Sequence, residues 1–109
     1  MNMANVVRGK RDKNVRAILA GLHAYETRFP GSVASLYRRN PGAVVVRIVD
    51  ERFARLPRSR RHDRVWQFLA DRLGEDTMGE ISALLLLAPA EKRTSLANQE
   101  FEDPVASHL

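Results

Sequence analysis

The chain has no cysteine. That excludes disulfides and thiolate metal centres, and it fits a reducing compartment. It also has no apolar run of membrane-spanning length. The longest, residues 81–90, has Ser82 near its start and Pro89 near its end. Basic residues stand early, at Arg8, Lys10 and Arg11. No apolar segment follows them at once, so a secretory signal is not expected. The closing Ser107-His108-Leu109 differs from the S-K-L peroxisomal address and reads as an ordinary C-terminus. Together these absences lead to the expectation of a cytoplasmic protein with no membrane contact.

Chemistry-bearing patterns are equally scarce. The three histidines, His23, His62 and His108, form no i, i+4 pair, no H-E-x-x-H and no zinc-like spacing. No nucleophile-elbow motif surrounds a serine. The paired acids Asp50-Glu51 adjoin Arg52 and read as a solvated, salt-bridged corner. The expectation is a protein that binds without catalysing, with no metal and no cofactor. Aromatic side chains are few, and Tyr25, Tyr37 and Trp66 make no evident stacking platform for bases.

What is present is charge, unevenly placed. The 109 residues, enough for one domain and one modest core, carry a net +5. Between Arg38 and Arg72 arginine dominates, opposed by Asp50, Glu51, Asp63 and Asp71. After Leu73 the balance reverses, with Glu75, Asp76, Glu80, Glu91, Glu100, Glu102 and Asp103 against Lys92 and Arg93. A basic middle and an acidic tail point to an anionic partner, or to a tail that screens the basic face.

Residues 1–13 are polar and basic, contain Gly9, and read as a flexible arm. From Asn14 the apolar spacing turns helical. Val15, Ile18, Leu19, Leu22, Tyr25 and Phe29 share one face, with Asn14 as cap and Pro30-Gly31 as stop. Val33–Arg39 and Ala43–Asp50 read as a hairpin around Asn40-Pro41-Gly42. A second helix is expected from a Ser59 cap to about Leu73, near Gly74, with Val65, Trp66, Phe68, Leu69 and Leu73 on its apolar face. Residues 74–80 read as a loop and Ile81–Ala88 as a covered strand. Residues 90–109 read as a short helix or a loose acidic tail. The last two strands, joined through a helix, should be parallel. The expected fold is α+β in the order α-β-β-α-β: a small mixed three-stranded sheet with helices packed on one face.

The stretch FARLPRSRRHDRVWQFLADRL, residues 53–73, resembles the BolA family. Phe53, Arg61, His62, Trp66, Leu69, Ala70, Asp71 and Leu73 fall at the family's spacings. The preceding VVVRIVDERF and Ile81-Ser82-Ala83-Leu84 are similar to its second and third strands, so the resemblance spans about residues 43–88 of a domain placed at 14–89. It implies a KH-like fold of type II, a role in nucleic-acid binding or transcription regulation, and a monothiol-glutaredoxin-like protein partner. Family members share an iron–sulfur cluster through a histidine where this chain has Ser82, and through a Cys or His in the loop where it has Arg38–Gly42. The family's glycine after Phe53 is replaced by Ala54-Arg55. No two of glycines 9, 21, 31, 42, 74 and 79 are three apart, so the GXXG grip of KH domains on RNA is missing.

The candidate anion-binding set is therefore Arg52, Arg55, Arg58, Arg60, Arg61 and Arg64. These arginines crowd the start of the second helix, where helix stability alone would favour acids. Exposed amides and guanidinium groups there could receive a phosphate or carboxylate. Phe53, His62 and Trp66 are the family-motif residues, and a packing role for His62 is expected over a ligand role. The alternatives carried forward are a nucleic-acid-binding domain and a protein-interaction adaptor.

Overall fold

The computed structural model describes residues 4–103. Ser107-His108-Leu109, and with it His108, lies outside the described residues. The hairpin stands around the Asn40-Pro41-Gly42 turn as expected, with the β-branched run in its second strand: β2 is Val33–Asn40 and β3 is Ala43–Val49, antiparallel, with Leu36 opposite Val46 and Tyr37 opposite Val45. The final strand, β4 (Ile81–Leu87), runs parallel to β3 as expected.

The sheet has a fourth strand. β1, Asn5–Arg8, lies in the segment expected to be an arm and pairs parallel with β2. Its four residues are too few to show a period. Gly9 ends it at φ +94, and a Cβ there would meet Arg38 at 3.2 Å, so the chain can leave the strand at this point only through glycine. The order across the sheet is β1-β2-β3-β4.

Helix α1, Lys13–Arg28, is capped by Asp12, whose Oδ1 accepts the Val15 N–H at 3.0 Å. Asn14, expected as the cap, instead donates to Glu80 and accepts from Thr77, tying α1 to the turn before β4. Arg38 completes this junction by pairing with both Asp12 and Glu80. Helix α2 is Arg58–Ala70, with Pro57 rather than Ser59 at the cap position. The expected loop 74–80 contains a short helix, α3, Glu75–Gly79.

α1 and α2 cover one face of the sheet. Val15, Ile18, Leu22 and Tyr25 of α1 and Val65 and Leu69 of α2 meet Ala34, Leu36, Val44, Val46 and Ile48 in one buried cluster. The helices are not all on that face. α4, Leu96–Glu102, packs Phe101 against Tyr37, Val45 and Leu85 on the opposite side. Alternation along the strands gives this second face its own apolar residues, and they require a cover. The molecule is thus a compact α+β fold with a four-stranded mixed sheet and helices on both faces.

Candidate anion-binding site at the start of α2

Asp50, buried at the end of β3, opens a 3-10 turn over Glu51–Arg55 by accepting the Arg52 amide at 3.0 Å. The turn drives Phe53 fully into the core. Leu56 and Pro57 then lead into α2, whose first turn contains no acid and whose cap residue offers no side-chain hydrogen bond. The Pro57 carbonyl accepts from Arg60 and Arg61. The amides of Arg58 and Ser59 are left for a partner outside the helix.

The six candidate arginines divide into two sets. Arg61 is not a ligand-facing group, because it is only 6% exposed and fully engaged. Its Nε donates to the Leu56 carbonyl at 2.9 Å and its Nη1 to the Leu86 carbonyl at 3.0 Å. Both Nη atoms meet the Glu91 carboxylate, at 2.6 and 3.0 Å. This fork, with the Ala88 amide, holds Glu91 down at about 2. Arg52 is tied to Asp50 and to the Pro30 carbonyl. Arg64 lies over the Phe29 ring, 5.5 Å from its centre. Arg55, Arg58 and Arg60 are exposed and have no ion pair among the described residues. The site that remains is these three guanidinium groups around the uncapped helix start.

Tyr25 lies tilted against Phe29, and Phe68 meets both rings edge to face, with centres 4.6 to 6.1 Å apart. Burial, and then Asp50, push the Tyr25 hydroxyl up to about 12. The family-motif residues part company. Phe53 is core, Trp66 is half-buried against the core, and His62 is exposed, stacked on Trp66 at 5.7 Å with an 11° tilt. His62, expected to pack, does so by its ring face on Trp66 and is otherwise turned to solvent. Ser82 is exposed as well, with its Oγ 3.3 Å from the Val44 carbonyl. Among the described residues no group of three or more His, Cys, Asp or Glu could hold a metal ion, and no helix is long and apolar enough to cross a membrane.

Glu91 is the residue that sequence reasoning missed. Its sole signal was an unpaired acid after Pro89, thirty residues from the arginine it holds. Comparison with protein-family models, with curated proteins and with solved structures finds no match for this chain.

Proposed function

We propose that the protein is a non-enzymatic, BolA-like binding domain that takes hold of nucleic acid, or another polyanion, through Arg55, Arg58 and Arg60. The observation that carries this reading is the uncapped, acid-free first turn of α2 beside three exposed, unpaired guanidinium groups. Such a turn offers amide donors and positive charge to phosphate oxygens. It lacks a base-stacking platform and a glycine-rich grip, so contact is to the backbone and largely independent of sequence. The order α1-β2-β3-α2-α3-β4 supports the KH-like part of the reading, with β1 as an addition at the edge.

The test is a titration of labelled duplex DNA and of labelled single-stranded RNA at two salt concentrations. Binding should weaken with salt by a log–log slope of about 0.9 per phosphate contacted. Replacing Arg55, Arg58 and Arg60 together with Ala should lower that slope by about two to three. Salt-independent binding, or a slope unchanged in the triple variant, would sink the proposal.

A further inference from the structure

The outer strand on the α2 side of the sheet is β4, Ile81–Leu87. In a strand the peptide groups of successive residues point alternately to the two sides. The Leu87 carbonyl accepts from Asp50, on the β3 side. Leu85 and Ala83 therefore face β3 too, and Leu84 and Leu86 face outward. Arg61 confirms the alternation by donating to the outward Leu86 carbonyl. Nothing among the described residues takes the outward groups of Leu84. Proteins blunt such edges with charge, proline or shortness. β1, at the other edge, has four residues, a bulge and Arg8. The sequence ISALLLL of β4 carries neither charge nor proline, and its one irregularity, a register shift against β3 between Ile81 and Ala83, lies at its start.

Two clefts flank this open edge and share Leu84, Leu85 and Ala97. On the α4 side a cleft of about 150 Å³ is walled by Tyr37, Val45 and Phe101. Its walls are mostly apolar, with Arg39 and Glu100 also lining it, and one aliphatic side chain would occupy it. On the α2 side a cleft of about 350 Å³ presents Arg58, Ser59 and His62. That one suits a carboxylate. A strand laid along β4 would send alternate side chains into the two.

The geometry points to β4 as a docking edge for an extended segment of another protein, in which aliphatic and acidic residues alternate and which adds a fifth strand. Charge decides against a second copy of this chain, because residues 81–87 would bring no carboxylate to Arg58 and His62. The edge is separate from the polyanion contact of Arg55 and Arg60, although Arg58 borders both.

The probe is a fluorescein-labelled, end-capped heptapeptide of alternating valine and aspartate, titrated into the full chain by anisotropy. Amide exchange of Leu84 is followed in parallel by NMR. Saturable binding that slows Leu84 exchange by roughly tenfold or more is expected, with a valine–lysine peptide weaker by a similar factor. Leu84→Pro removes an outward N–H and leaves the β3 ladder in place, so it should abolish binding in a protein that keeps its circular dichroism. Ala97→Trp fills the wall shared by the clefts from an exposed position and should weaken binding roughly tenfold while leaving DNA affinity unchanged. Equal affinity for the lysine peptide, or unslowed Leu84 exchange at saturation, overturns the proposal. So does unaltered binding in both variants. Leu84 protected without peptide, in a dimer seen by sedimentation, would give the edge to a second copy and overturn it equally.

Discussion

At the scale of single residues, the arginines of α2 look alike in the sequence and differ in role. Arg61 closes a fork on Glu91 and takes two main-chain carbonyls, so its loss unpairs several groups at once. Arg61→Ala should cost about 2 kcal/mol, less than for a fully buried pair because the Glu91 side chain is 40% exposed. Alanine at Arg55, Arg58 or Arg60 should leave the melting temperature within about a degree or two of wild type. Thermal denaturation of the four variants checks both. Glu91 adds a pH dependence of definite sign. Its folded value of about 2 lies below the ordinary 4.5, so its stabilisation is complete above about 4.5 and is lost as pH falls toward about 2. Urea midpoints across that window should fall with acid, and Glu91→Gln should flatten that part of the fall. The pairing was illegible beforehand because it joins residues thirty apart. The exposure of His62 was illegible for a related reason: a helical wheel puts it beside Val65 and Trp66 but does not say where the facing layer ends.

At the scale of elements, periodicity was a sound guide wherever an element was long. The hairpin β2–β3, the parallel β4, and α1 and α2 stand where the turn signal, the apolar and β-branched runs and the three-four spacing put them. β1, α3 and α4 have four, five and seven residues, and their existence depends on neighbours more than on their own pattern. α4 is the clearest case. It forms over a second apolar face that appears only when Tyr37, Val45 and Leu85 are set side by side by strand register. Arg47 reaches across to Asn98 and Glu102, and Arg8 donates to the carbonyls of Phe101 and Glu102. Phe101→Ala should therefore cost about 3 kcal/mol and release α4 before the rest. Hydrogen exchange should show amides of residues 96–102 losing protection while those of α1 keep it. Uniform loss across the chain would mean that α4 is part of the main cooperative unit.

At the scale of the whole molecule, the order of strands across the sheet repeats their order along the chain. Each pairing joins consecutive strands, so no strand has to wait for a distant one to be made. The β2–β3 hairpin is a short closure, whereas the parallel pairs β1–β2 and β3–β4 must each close over an intervening helix, which places folding between helical bundles and all-β domains. Refolding followed by Trp66 fluorescence should be complete in about milliseconds in its main phase. Among the described residues the hydrogen bond of longest span, Arg8 to Glu102, bridges 94 positions and has most loop entropy to overcome. It should form after the folding barrier. Arg8→Ala would then speed unfolding and leave the refolding rate nearly unchanged, as stopped-flow measurement of both limbs can decide. Arg8 and α4 would act as a clasp fastened last, setting how long the folded molecule survives more than how quickly it arises.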